Sequence, residues 1–182
     1  MGNLAKHLKT IRTHRKYVRK SCWKMGLFWQ GITHDLSKYS RTELSVAKYY
    51  TGKGSPHDVC RAETGYSESW LHHKYRNKHH SQHWLDDDVD GNIVPIKMPY
   101  KYVVEMLCDF IGAGKAYEGK RWTCESPLNY WNKCCVGKRI MHKKSEELLV
   151  KFLIVIYDHG EKAFYKWYRK HKKEIKENYE RN

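Results

Sequence analysis

Apolar residues recur three, four and seven positions apart over long stretches of this chain, and only four prolines interrupt them. That pattern permits lightly punctuated helices and disfavours a sandwich of short strands. Leu4, Leu8, Ile11 and Val18 set a helical face over residues 3–25, with Asn3 placed to cap it. Ser40 followed by Glu43 resembles a capping box opening a helix over 41–50. Residues 51–65 carry three glycines and a proline among polar residues and predict a loop. Trp70, His73, Asn77, His80 and Trp84 predict one continuous helix over 66–85. Pro95 and Pro99 delimit a link, and Tyr102, Met106, Asp109 and Ala113 share a helical face over 100–111. Gly112, Gly114 and Gly119 predict a loop over 112–126, after which Ser126-Pro127 opens a short helix. Leu148 to Tyr157 predicts a buried helix closed near His159-Gly160. A basic, aromatic tail over 161–182 predicts a further, partly exposed helix. The expected fold class is all-α, in one helical domain over 1–182.

Composition narrows the partners. The formal charge is +15 with histidine counted neutral, which favours polyanions: nucleotides, nucleic acid or acidic surfaces. The longest apolar run, Phe152 to Tyr157, is too short to span a bilayer, so no membrane is expected. Residues 1–10 lack the apolar core of a signal peptide. The six cysteines form no C-x-x-C pair, which argues against a thiolate zinc module. The expectation is a cytoplasmic protein with free thiols.

The polar residues on apolar faces carry the chemistry. Twelve histidines occur, and imidazole is a common ligand for divalent metals. His14 lies on the apolar face of the first helix. Burial there requires its ring nitrogens to be satisfied, by a metal and an outer acceptor or by a backbone carbonyl. His34 and Asp35 are adjacent, and imidazole nitrogen with carboxylate oxygen suits a hard-to-borderline divalent ion. Adjacent helical residues diverge by about 100°, so this pair converges on one ion only at a bend or by reaching along the surface. His73 and His80 fall seven apart on one face with Asn77. His72, His79 and His83 fall on a neighbouring face, where His72 and His83 also read as surface residues. Asp109 sits between Met106 and Phe110 in an otherwise apolar segment, which calls for a cation or several donors.

The order His14, His34-Asp35, His73, His79-His80, Asp109 resembles the HD superfamily of metal-dependent phosphohydrolases. That resemblance implies an HD-domain-like helical bundle binding one or two divalent ions: Mn, Fe, Zn, Mg, Co or Ni. His14, His34, Asp35 and Asp109 would bind a first metal. Asp35 would bridge to a second held by His73 with His79 or His80. Lys38 matches the lysine of the family's His-Asp-x-Gly-Lys and would act beside Asp35 in catalysis by contacting substrate phosphate, and Asn77 would orient a ligand or the reacting group. Ser37 stands where the superfamily usually has Gly. A closer resemblance, spanning about residues 10–113, is to a divergent, uncharacterised bacterial and phage branch that shares His-Asp-x-Ser-Lys and Trp-x-His-His-x-x-x-Asn-x-His-His.

The expected activity is hydrolysis of a phosphoester by metal-activated water, on an anionic phosphorylated small molecule such as a nucleotide or short oligonucleotide. A second class stays open: a basic nucleic-acid- or nucleotide-binding protein with a structural metal and no catalysis. Trp167 and Tyr168 beside Lys166, Arg169 and Lys170 would serve it by stacking and phosphate contact.

Overall fold

A computed structural model describes residues 3–52 and 54–181. Met1 and Gly2 of the 1–10 segment, Lys53 of the expected 51–65 loop and Asn182 of the basic tail lie outside the described residues. The fold is all-α apart from one hairpin. Its helices are α1 (Asn3–Lys24), α2 (Phe28–Thr33), α3 (Arg41–Leu44), α4 (Pro56–Thr64), α5 (Glu68–Arg76), α6 (Tyr100–Glu118), α7 (Ser126–Cys134) and α8 (Lys143–Arg181). Short 3₁₀ turns occupy Leu36–Tyr39, Ser45–Tyr49, Ser81–Trp84 and Gly119–Arg121. Strand β1 (Leu85–Asp87) pairs antiparallel with β2 (Ile93–Pro95). No described helix is long and apolar enough to cross a membrane, and all six cysteines are free thiols.

Helix α6 is the axis of the fold, packing on α1 on one side and α8 on the other. Its Val103, Val104, Leu107, Cys108 and Ile111 are buried. The α1 contact is unusually close. A Cβ built on Gly112 would lie 2.3 Å from Val18 Cγ2 and 3.0 Å from the Val18 backbone nitrogen. Gly114 likewise lies against the Trp122 indole, 2.8 Å from a built Cβ. These glycines therefore continue α6 to Glu118, where the sequence predicted a loop from 112. Both mark close approach instead of a chain break.

Three further predictions fail for local reasons. The 51–65 loop contains α4. Ser55 caps it by accepting from the His57 amide, Pro56 takes the first turn, and Gly65 ends it at φ 81°. The glycines and proline there punctuate a helix at both ends. The continuous helix expected over 66–85 stops at Arg76. Asn77 adopts extended backbone (φ −111°, ψ 106°), and its amide donates to the His73 carbonyl at 2.8 Å, competing with the helical ladder. His79 and His80 therefore sit on a turn, and the chain continues into a 3₁₀ turn and the hairpin. The helix expected over 41–50 is split into α3 and a 3₁₀ turn.

Helix α8 breaks at Gly160 (φ 78°, ψ 160°), so the basic tail doubles back. Ser145 Oγ accepts from the Met98 amide at 3.0 Å and lies 2.7 Å from the Tyr179 hydroxyl, which itself donates to the Met98 carbonyl. Tyr165 donates to Ser21 Oγ at 2.9 Å. Phe164, Tyr165, Tyr168, Ile175 and Tyr179 are buried in the core with Phe152. Tyr168 is thus a core residue, bonded to Tyr100, and is not available for stacking on nucleic acid.

Candidate metal centre

The centre begins at a bend. Helix α2 ends at Thr33, His34 leaves it at φ −48° and ψ 126°, and Asp35 turns left-handed (φ 54°, ψ 27°). Asp35 is the one non-glycine residue with positive φ among the described residues. A short polar side chain tolerates this conformation best. The bend lets adjacent side chains aim at one point, which a regular helix would prevent. Arg15 locks it from α1, donating from Nε to the His34 carbonyl at 2.8 Å and from Nη2 to the Ile32 carbonyl at 2.9 Å.

Four side chains meet there. His14 Nε2, from α1, lies 3.2 Å from His34 Nε2, 3.2 Å from Asp35 Oδ2 and 3.2 Å from Asp109 Oδ1. His34 Nε2 lies 3.4 Å from Asp35 Oδ2 and 3.5 Å from Asp109 Oδ1. An imidazole nitrogen carries at most one hydrogen, so it cannot bond three such neighbours at once. Ligands about 2.1 Å from a common ion lie about 3.0–3.4 Å apart in octahedral or tetrahedral arrangement, which matches this spacing.

The other oxygen of Asp35 faces a second group. Oδ1 lies 3.4 Å from His73 Nε2 and 3.5 Å from His79 Nε2. His80 completes a set whose ligand atoms all lie within 4.8 Å of one another. Asp35 Oδ1, His79 Nε2 and His80 Nε2 are buried without a hydrogen-bond partner. Leaving such atoms orphaned costs about 1–3 kcal/mol each, and a shared cation would satisfy all three. These buried groups can hold a metal ion.

Two glutamates missed in the sequence orient the imidazoles. Glu105, on α6, accepts from His34 Nδ1 at 3.0 Å and stands 3.3 Å from His79 Nδ1. Glu43 accepts from His73 Nδ1 at 2.7 Å and His72 Nδ1 at 2.8 Å. A proton fixed on Nδ1 leaves the Nε2 lone pair aimed inward, the arrangement typical of metal-ligating histidines. Glu105 had a signal: it lies four residues before Asp109 in an apolar helix. Glu43 was visible only as a capping-box residue. Its amide is capped by Ser40 at 3.2 Å, but its carboxylate turns to the histidines. The outer acceptor expected for His14 is not found, since its Nδ1 is buried and unpartnered.

Electrostatics demand positive charge here. Burial raises the carboxyls of Asp35 and Asp109, but the facing imidazoles, with Lys38 at Asp35, outweigh it and hold both well below the usual carboxylate range. Burial lowers His34, yet Asp35, Asp109 and Glu105 together carry it well above its ordinary value. A proton on His34 thus supplies charge that a cation would otherwise bring. Burial and the neighbouring His79 and His73 keep His80 neutral.

A cavity of about 480 Å³ opens on the cluster, lined among others by His14, Asp109, His73, His80 and Lys38. Lys38 Nζ bonds Asp35 Oδ2 at 2.8 Å. Asn77 does not line this cavity. Its amide donates to Ser37 Oγ at 2.7 Å and to the His73 carbonyl, bracing the two histidine-bearing segments. His72 and His83 stand outside the cluster, and His83 Nδ1 donates to the Tyr75 carbonyl at 2.9 Å.

Residues 3–154 match the model of DUF5662, a family of unknown function. No curated protein and no solved structure matches the chain.

Proposed function

This chain belongs to the DUF5662 family, and we propose that it is a metal-dependent phosphohydrolase related to the HD superfamily, acting on a phosphoester such as a nucleotide. One observation carries the reading: the two oxygens of Asp35 face two separate imidazole sets, and His14, His73, His80 and Asp109 around it line a cavity. A purely structural ion is enclosed by its ligands. Here four of the candidate ligands line a cavity large enough for a small-molecule substrate.

In this reading His14, His34, Asp35 and Asp109 hold one divalent ion, and Asp35 with His73, His79 and His80 holds a second. When bound, such ions lower the pKa of water and neutralise phosphoryl charge. The chain does the rest. Glu105 and Glu43 keep the ligating imidazoles in the Nε2-available tautomer. Lys38, hydrogen-bonded to Asp35 and facing the cavity, adds a positive charge where a phosphoryl oxygen would rest.

The test is elemental analysis of purified protein followed by a screen of phosphorylated metabolites with Mn, Fe, Zn, Mg, Co or Ni added. Stoichiometric metal and a phosphoester turned over are expected, with Asp35→Asn losing both. Protein that binds none of these ions and hydrolyses none of the compounds would overturn the proposal.

A further inference from the structure

The N-terminal third has a surface whose composition the metal centre does not use. From residue 1 to residue 57 the sequence holds two acidic residues, Asp35 and Glu43, and both are buried in the metal centre. The exposed surface of α1 and α2 is therefore free of acids, while Arg12, Lys16, Arg19 and Lys20 stand exposed along α1.

That basic stripe runs into bare aromatic rings. Trp29 is 72% exposed, Phe28 53% and Trp23 48%. They form one platform. Trp23 and Phe28 stack at 5.6 Å with planes 15° apart, and Trp29 meets Phe28 edge-on at 5.5 Å. Gly31 lies against the Trp23 ring, 3.1 Å from it at a built Cβ, and the Arg15 bonds to α2 fix the platform to α1. Contiguous exposed apolar clusters of this kind mark interaction sites, whereas singly scattered apolar residues do not.

We propose that this face binds single-stranded nucleic acid, with bases stacking on Trp29, Phe28 and Trp23 and phosphates contacting the α1 arginines and lysines. Two features favour this occupant. Sequence-tolerant strand binding combines aromatic faces with a cationic track and arginine cation–π contacts, and here the Arg19 guanidinium lies over the Trp23 ring at 5.5 Å and that of Arg15 over Tyr39 at 5.3 Å. A lipid surface suits it less well, because guanidiniums lying over the ring faces would be drawn toward hydrocarbon with the rings. A basic, acid-free face also repels the basic surface of a second copy of this chain.

The proposal does not depend on hydrolysis and is tested by binding alone. Fluorescence anisotropy of full-length protein as purified, with a labelled, nuclease-resistant 20-nucleotide phosphorothioate oligo(dT) and oligo(U), should give saturable binding that weakens with salt. Phe28→Ala with Trp29→Ala leaves the net charge unchanged and removes exposed groups, so the fold should stay intact by circular dichroism. Affinity should fall at least 10-fold, the size expected from losing one or two stacked bases. Arg12→Gln with Arg19→Gln should reduce the salt slope, and a duplex of equal length should bind more weakly than the single strand. Unchanged affinity in the aromatic variant would show bare charge attraction and overturn the proposal. Equal affinity for duplex, or binding to vesicles rich in phosphatidylserine with none to oligonucleotide, would do the same.

Discussion

Replacing Gly112 with Ala links the packing of the fold to the metal centre. The added methyl would sit 2.3 Å from Val18 Cγ2, 3.0 Å from the Val18 nitrogen and 3.3 Å from its Cα. Carbon atoms rest about 3.5–4.0 Å apart, so α1 and α6 must separate by about 1 Å. Rotating Val18 gives little relief, since a helical Val has one strongly preferred rotamer and the backbone contacts remain. Overpacking costs about 1–3 kcal/mol, and the backbone contact argues for the upper end. Against it stands about 1 kcal/mol of helix propensity gained by Ala over Gly. The net loss is about 1–2 kcal/mol, or about 2–8 °C in Tm for a chain of this length. The site moves with the helices. Val18 is one turn beyond His14 and Gly112 three residues beyond Asp109, so widening the gap parts two residues whose ligand atoms are 3.2 Å apart. Metal affinity should fall about 10-fold by competition with a fluorescent chelator, and Val18→Ala in the Gly112→Ala background should restore part of both losses. A Tm equal to or above that of the parent, with unaltered metal affinity, would refute the claim that this glycine sets the helix spacing.

Other expectations are narrower. Glu105→Gln should lower metal affinity about 10–100-fold, as loss of an outer hydrogen bond to ligating histidines does, read by titration calorimetry. Removing metal with a chelator should lower Tm, and returning it at 1,000 times its Kd should restore about 4 kcal/mol; differential scanning calorimetry checks this. Burial, aided by Lys38, lowers His7 to about 4. Unfolded His7 takes up its proton near 6.5, so the unfolded state binds more protons between those values and stability falls as pH drops from 6.5 toward 4. The slope from one such group is at most about 1.4 kcal/mol per pH unit. Urea midpoints across that range should show it, and His7→Gln should flatten it.

Much of the fold was legible because its helices bury faces of ordinary period: Ile11 and Val18 on α1, although Leu4 of the same expected face is exposed, and Leu148, Leu149, Phe152 and Ile156 on α8. The failures share a cause. The average behaviour of glycine, proline and asparagine misleads here, because their roles are set by what they touch. Gly112 and Gly114 permit close packing, Ser55-Pro56 starts a helix, and Asn77 ends one. Sequence order brought His14, His34, Asp35 and Asp109 under suspicion, but not the geometry joining them, which depends on the bend at Asp35 and the spacing of α1 and α6. Glu105 and Glu43 act through the far side of imidazole rings; the spacing of Glu105 from Asp109 in an apolar helix hints at the first, and no linear pattern marks the second.

The left-handed backbone at residue 35 narrows what evolution can write there. A negatively charged donor is wanted, which leaves two of the twenty amino acids. The longer one fits that backbone poorly and would carry its carboxylate past both imidazole groups by a methylene. Asparagine and glycine suit the chain path but bring no charge. Aspartate alone meets both demands, so this position admits no conservative neighbour, and drift at it should be read as loss of the centre.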